Sequence, residues 1–410
     1  MAENLFDLLT ARGLVHQATE PDIRERLATP LTAYIGFDPT ADSLHIGSLV
    51  PIMALRRIQA CGHTPLVLVG GATGLVGDPS GKSEARKMLT RDDVTRNAQA
   101  IAGQIGRCVR FGTGPGEAVL LDNADWLAGM TWIDLLREVG PHFSVNRMLS
   151  MESVKGRLEA GGISFLEFNY MIMQAYDFLH LHRARGCTLQ MGGSDQWGNI
   201  VMGIELARRM DGAELAGLTM PLVTKSDGGK FGKSEKGNVW LSPERTPPYE
   251  FWQFWRNTAD ADVRRFLAYF TDVPMAEITA LCADGGAALN GAKERLAMEV
   301  TTLLHGAEAA DQARDSARRA FGAQHDVSGD AIPHGPLPAA ELAAGIPVID
   351  LLVRAGLAAS KSEARRLIEG GGVAIGDDKV TDIKAVVASA PGGVLLLRAG
   401  KKRMHRYDLV

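Results

Sequence analysis

His45-Ile46-Gly47-Ser48, near the start of this 410-residue chain, and Lys230-Phe231-Gly232-Lys233-Ser234, in its middle, hold the residue types that phosphate chemistry needs. An imidazole at a helix start, beside unpaired backbone N–H groups, suits a phosphate. Two lysines three apart on a glycine-broken loop suit an anionic leaving group, because mobile ammonium groups can close on it. Between them, Leu166 to Leu179 carries Tyr170, Gln174 and Asp177 at spacings of four and three on one helical face. Phenol, amide and carboxylate read there either as the polar edge of a core helix or as the wall of a pocket for a small polar ligand. Gly192-Gly193-Ser194-Asp195-Gln196-Trp197-Gly198-Asn199 follows a strand-like run. Its two glycines allow close approach to a ribose, with a carboxylate for the hydroxyls.

Val67 to Ser83 runs from a strand into a glycine-rich turn and invites two readings that fail. Gly71, Gly74 and Gly77 imitate a dinucleotide fingerprint. The turn belongs to the second strand unit, however, no Tyr-x-x-x-Lys pair occurs, and no acidic residue closes a following strand at the usual distance. Gly81-Lys82-Ser83 imitates the end of a P-loop, but the glycine required at position 76 is Val76. What survives is a tight turn presenting Asp78 at a strand end, with Lys82 and Arg86 beyond it.

These residues need strand ends to hold them. Ala33 to Phe37, Pro65 to Val69, Ala118 to Leu121 and Thr188 to Met191 read as short buried strands, each followed by a helix-length amphipathic stretch; Leu49 to Ala60 is one. The alternation predicts an α/β fold, a parallel sheet covered by helices with ligands at the carboxyl ends of its strands, over residues 1–223. Residues 224–321 read as the lysine loop and a helical subdomain that opens on Tyr249, Phe251, Trp252, Phe254 and Trp255. Residues 322–343, rich in Gly, Pro, Ala and His, read as a linker. Residues 344–410 read as a small α+β domain with helices at Val348–Arg354 and Lys361–Glu369, Ser360 as N-cap, and strands at Val373–Ile375 and Val394–Leu397.

The net charge of −4 is near neutral, but residues 344–410 hold 11 Lys and Arg against 7 Asp and Glu, so the basic charge gathers at the end. Lys361, Arg365, Arg366, Lys401, Lys402 and Arg403 read by charge alone either as a solvated basic face or as an RNA contact, and a basic helix with a small sheet after a linker favours RNA. Cys61, Cys108, Cys187 and Cys282 lie far apart, which argues against a zinc site or a disulfide framework and for a reducing, cytoplasmic setting. No apolar run approaches the roughly 20 residues of a membrane span.

Over essentially its whole length the chain resembles the bacterial tyrosyl-tRNA synthetases, a family of class I aminoacyl-tRNA synthetases. The resemblance is carried by Gly36-Phe37-Asp38-Pro39-Thr40-Ala41-Asp42-Ser43-Leu44-His45-Ile46-Gly47, Val69-Gly70-Gly71-Ala72-Thr73-Gly74, the Gly192–Asn199 segment and the Lys230–Ser234 segment. The C-terminal region is similar to the family's S4-like RNA-binding module. The resemblance implies a Rossmann-like catalytic domain that joins L-tyrosine to ATP and passes it to the terminal adenosine of tRNA(Tyr). It implies ATP as a substrate with Mg²⁺, no tightly bound cofactor, no resident metal, a homodimer, and neither DNA nor membrane as partner.

Carried over by position, Tyr34 and Asp177 bind the substrate's phenolic hydroxyl. Asp78, Tyr170 and Gln174 hold its α-ammonium, and Gln196 lies near its carboxylate. Gly193 and Asp195 match the ribose site, while Gly36, Asp38 and Gly47 face ATP. His45 meets the phosphates, and Lys230, Lys233, Lys82 and Arg86 neutralise pyrophosphate. Ser48 departs from the pattern, which has a second histidine or an asparagine there; its hydroxyl can still donate one hydrogen bond. Tryptophanyl-tRNA synthetase is the nearest rival, and Tyr34, Asp177 and the S4-like tail favour tyrosine over it. A catalytically silent RNA-binding relative and a dehydrogenase are further alternatives. The apolar stretch Trp126 to Val145 reads as a subunit interface or a buried helix.

Overall fold

Thr32–Phe37 (β2) is an apolar run buried at Ala33, Tyr34, Ile35 and Phe37, and it lies at the centre of the main sheet. In the computed structural model, which describes residues 3–80, 88–226, 228, 231–234, 237–321, 333–376, 378–400 and 403–410, the chain divides into two units. The first comprises residues up to 245 together with 258–296, and the second residues 246–257 and 297–410.

The sheet of the first unit contains Gln17–Ala18 (β1), β2, Thr64–Val69 (β3), Val119–Asp122 (β4), Cys187–Gly193 (β5) and Ala216–Met220 (β6), in the order β1-β6-β5-β2-β3-β4. All neighbours are parallel except β1 on β6. The four strands read from the sequence are present. β6, buried along its whole length, and the short antiparallel β1 were not anticipated, because Ala-Gly-Leu-Thr-Met carries no alternation and little β-branching.

β3 and β4 continue to one side of β2, whereas β5 and β6 return on the other. Strand order therefore reverses at β2, and a crevice must open at its carboxyl end. The helix Leu49–Ala60 buries Leu49, Ile52, Met53 and Leu55. Phe165–Arg185 starts in a capping box made by Ser164 and Glu167 and stops at Gly186, whose φ of 62° is the left-handed conformation that ends helices.

In the second unit, Pro248–Arg256 buries Tyr249, Phe251, Trp252 and Trp255, with Phe251 against His305 at 4.5 Å. The C-terminal region forms a five-stranded sheet in the order Asp378–Val380, Val373–Ile375, Val394–Ala399, Arg403–Leu409, His334–Leu337. The helices Val348–Arg354 and Lys361–Glu369 bury Leu351, Leu352, Ala364 and Ile368 in the same core as Leu397 and Tyr407. Ser360 caps the second of them, its Oγ accepting from the Glu363 N–H at 3.2 Å.

His334–Leu337, read from sequence as linker, pairs in parallel with Arg403–Leu409, and Ala339–Ala343 is helical. Pro336 and Gly335 hid this strand. Both are tolerated because it lies at the sheet edge, where one side of the backbone needs no partner.

Candidate active site

The carboxyl ends of β2, β3, β4 and β5 deliver Asp38, the Gly70-Gly71 turn, Asp122-Asn123 and the Gly193–Gln196 loop to the crevice. Gly36 is exposed within an otherwise buried strand, so bare backbone faces the opening. The fit at Gly70 is close: a Cβ there would stand 2.2 Å from Asp38 Oδ1 and 2.3 Å from Thr73 Oγ1.

The Phe165–Arg185 helix supplies the wall. All three of its predicted residues are engaged by strand-end loops. The Tyr170 hydroxyl donates to Asp38 Oδ2 at 2.9 Å, and Thr73 Oγ1 donates to Asp38 Oδ1 at 2.8 Å. Gln174 Nε2 donates to Gln196 Oε1 at 3.2 Å, and Gln196 Nε2 donates to Asp78 Oδ2 at 2.7 Å. Asn199 Nδ2 closes this group on Gln174 Oε1 at 2.9 Å. Asp177 accepts Asn123 Nδ2 at 3.0 Å and Trp126 Nε1 at 2.8 Å. One chain of polar contacts therefore runs Asp177, Asn123, Thr73, Asp38, Tyr170, since Asn123 Nδ2 also donates to Thr73 Oγ1.

Burial shapes the charge of this wall. Asp177 is 2% exposed, and desolvation, only partly offset by its Asn123 and Trp126 donors, pushes its carboxyl up to about 7. The phenol of Tyr34 is driven well above its ordinary value by burial and then by the neighbouring Asp177 charge. Burial first, and then Asp38 and Asp78, do the same to Tyr170. Tyr34 stands edge-on to Phe178 at 5.3 Å, and its hydroxyl has no hydrogen-bond partner among the described residues. Gln190 Oε1, in the strand beside it, is also buried and unpartnered among them.

The two sequence motifs meet. The Ile46 N–H donates to the Val239 carbonyl at 3.0 Å, and the Val239 N–H donates to the Gly232 carbonyl at 2.9 Å. Gly232, at φ 87°, lies so close that an added Cβ would be 3.3 Å from Ile46 Cγ1. His45 is exposed and caps the turn Ile46–Ser48, its Nδ1 accepting the Gly47 N–H at 2.9 Å. An Nδ1 that accepts is the tautomer with its ring proton on Nε2. Ser48 makes no side-chain cap bond to the following helix.

Lys82, Arg86, Lys230, Lys401 and Lys402 lie outside the described residues. Lys233 is described only in its backbone, which pairs with Asn238. In the second unit, Arg365 and Arg366 are exposed, Lys361 pairs with Asp350 at 2.6 Å, and Arg403 lies 3.9 Å from Glu363. Sequence reading passed over Thr73, Asn123, Trp126, Gln190 and Asn199. Asn123 and Trp126 had one available signal, their place directly after a strand whose neighbours' ends all bear site residues.

Residues 26–322 match the family model of tRNA synthetases class I (W and Y), and residues 334–407 match that of the tyrosine–tRNA ligase SYY-like C-terminal domain. The chain thus belongs to the class I tRNA synthetases, a membership its sheet order and crevice share. It is 51% identical over 401 residues to a tyrosine–tRNA ligase of Rhizobium meliloti, covering 96% of each chain. To that of a Caulobacter species (strain K31) it is 52% identical over 401 residues, covering 97% of this chain and 95% of the relative. A C-terminally truncated mitochondrial tyrosyl-tRNA synthetase of Aspergillus nidulans superposes with a TM-score of 0.70 at 29% identity, over 78% of this chain and 94% of that one. The activity of this chain is that of a tyrosine–tRNA ligase, with tyrosine, ATP and tRNA(Tyr) as partners.

Proposed function

We propose that the crevice selects tyrosine through the Tyr34 hydroxyl and the Asp177 carboxylate, and activates it with ATP along the loops at the ends of β2 and β5. The observation that carries this reading is the buried, unpartnered hydroxyl of Tyr34 beside a buried carboxylate. A phenolic hydroxyl can donate its one hydrogen bond to Asp177 and accept one from Tyr34. Phenylalanine leaves the Tyr34 hydroxyl unpaired, at about 1–3 kcal/mol for a buried polar group, and adds no donor to the two that Asp177 already has.

Asp78, Tyr170 and Gln174 hold the α-ammonium, and Gln196, already donating to Asp78, stands by the carboxylate. Tyr170 on Asp38 ties the amino-acid side of the crevice to the ATP side. Gly36, Gly193 and Asp195 receive the nucleoside, and Gly47 brings its backbone to the phosphates. The substrate carboxylate oxygen attacks the α-phosphorus in line, and the bond to the bridging oxygen of pyrophosphate breaks, so the protein needs no nucleophile of its own. His45 Nε2–H donates to the phosphates as charge develops. Lys82, Arg86, Lys230 and Lys233 neutralise pyrophosphate together with Mg²⁺, which enters as part of the ATP substrate. In the second step a hydroxyl of the tRNA's terminal adenosine takes the tyrosyl group from the adenylate.

The exposed Lys361, Arg365 and Arg366, with the half-buried Arg403 and the lysines that precede it in sequence, Lys401 and Lys402, receive tRNA. We place the C-terminal domain at residues 334–410, since its edge strand begins at His334. A homodimer is supported by the Trp126–Val145 stretch: Trp132, Ile133, Leu136 and Val145 are 49%, 58%, 47% and 58% exposed, and Phe165 nearby is 70% exposed. The mass in solution of Phe165→Asp tests it. Four free thiols support a cytoplasmic setting. ATP–pyrophosphate exchange with tyrosine, tryptophan and phenylalanine offered separately tests the pocket; exchange with tyrosine far above the others is expected, and equal exchange with phenylalanine contradicts it.

A further inference from the structure

Trp126 belongs to a single helical turn, Ala124–Leu127, too short to fix an indole by itself. Its N–H reaches Asp177 Oδ1 at 2.8 Å, and its face lies on the ring of His180, with centroids 4.3 Å apart and planes 15° from parallel. Asp177 and His180 are three residues apart on the Phe165–Arg185 helix and so project from one side of it. One helix therefore offers both the acceptor for the indole N–H and the flat surface behind the indole. The Tyr176 ring lies 6.4 Å from His180, tilted by 33°. Burial first, and Arg183 second, lower the imidazole below its ordinary value, so the ring that stacks at neutral pH is uncharged.

We propose that His180 is a positioning residue for amino-acid selection, holding the Trp126 indole in the plane from which its N–H orients the Asp177 carboxylate. The inference rests on the assignment of the substrate hydroxyl to Tyr34 and Asp177. The other donor to Asp177, Asn123 Nδ2, serves the opposite oxygen, Oδ2, with one of its two hydrogens and Thr73 Oγ1 with the other. Trp126 thus supplies the only protein hydrogen bond to Oδ1 of this carboxylate among the described residues. An indole free to rotate leaves Oδ1 without its donor and turns the carboxylate away from the line to the substrate. His180 touches neither substrate nor reacting atoms in this scheme; it acts through Trp126.

The test is ATP–pyrophosphate exchange by the full chain, with kcat/KM measured for tyrosine and for phenylalanine. His180→Leu keeps much of the side-chain volume but removes the flat ring. It is expected to lower the tyrosine-to-phenylalanine ratio about tenfold, the scale of one misdirected charged hydrogen bond. The loss should appear in KM for tyrosine and not in kcat. His180→Phe restores a flat ring and is expected to hold the ratio within about twofold of the wild type. An unchanged ratio in His180→Leu, equal losses with both amino acids, or a collapse in His180→Phe overturns the role. Tyr34→Phe, run alongside, separates the two levels: an unchanged ratio there means that the hydroxyl site itself is misassigned.

Discussion

Tyr34 and Gln190 are register partners on the adjacent parallel strands β2 and β5, 1% and 2% exposed, and each ends in a side-chain oxygen without a hydrogen-bond partner among the described residues. Paired residues of neighbouring strands project to the same face, so two unmet polar groups share one face of the sheet, Tyr34 within the influence of Asp177. Such groups normally destabilise a fold, which makes them expected where a ligand completes them.

Removing either oxygen therefore costs the empty protein no internal hydrogen bond. Tyr34→Phe and Gln190→Met should melt no lower than wild type without ligand. Saturating tyrosine should raise the wild-type Tm more than that of either variant, because ligand stabilisation follows affinity. Thermal melts with and without tyrosine check this.

Asp177 provides a pH signature. Its folded carboxyl sits at about 7, above the ordinary 3.8, so across that window the folded state keeps a proton that the unfolded state releases. Stability from this group is intact below pH 4, falls as pH rises through 4 to 7, and is level above, a span on the order of 4 kcal/mol. Asp177→Asn should lack this slope, so its stability relative to wild type should rise between pH 4 and 7. Urea denaturation across that range reads it out.

His45 is held by Gly47. A Cβ on Gly47 would stand 2.6 Å from His45 Cε1 and 2.8 Å from Nδ1, so Gly47→Ala must displace the imidazole. Single-turnover adenylate formation should fall in Gly47→Ala by a factor close to that of His45→Ala, on the order of 10² for one lost transition-state donor. Ser48→Ala should lose much less, since Ser48 caps nothing in the fold.

Truncation separates the two steps. A chain ending before residue 333 removes the whole C-terminal sheet, whereas ending at 343 would leave His334–Leu337 without its partner strand. The shorter chain should form tyrosyl-adenylate at near wild-type rates and transfer tyrosine to tRNA poorly. Rapid quench with labelled tyrosine distinguishes the steps.

Much of this was legible in the sequence because strand, turn and helix start are local signals. Thr32–Phe37, Thr64–Val69 and Leu49–Ala60 have the expected apolar runs, and the Tyr170, Gln174, Asp177 stripe follows from helical spacing alone. What was not legible is which loop meets which. Nothing local links Asn123 to Asp177, or Gly232 to Ile46; only the sheet order and the pairing of residues 239–241 with 44–46 bring them together. Gln190 was hidden differently, as one amide inside a strand that otherwise reads as core.

The most direct test of the pocket is the ratio of kcat/KM for tyrosine to that for phenylalanine in ATP–pyrophosphate exchange, compared between wild type and Tyr34→Phe. Loss of one hydroxyl partner should lower the ratio about tenfold while phenylalanine activation holds or improves. An unchanged ratio would contradict the assignment of the substrate hydroxyl to Tyr34 and Asp177.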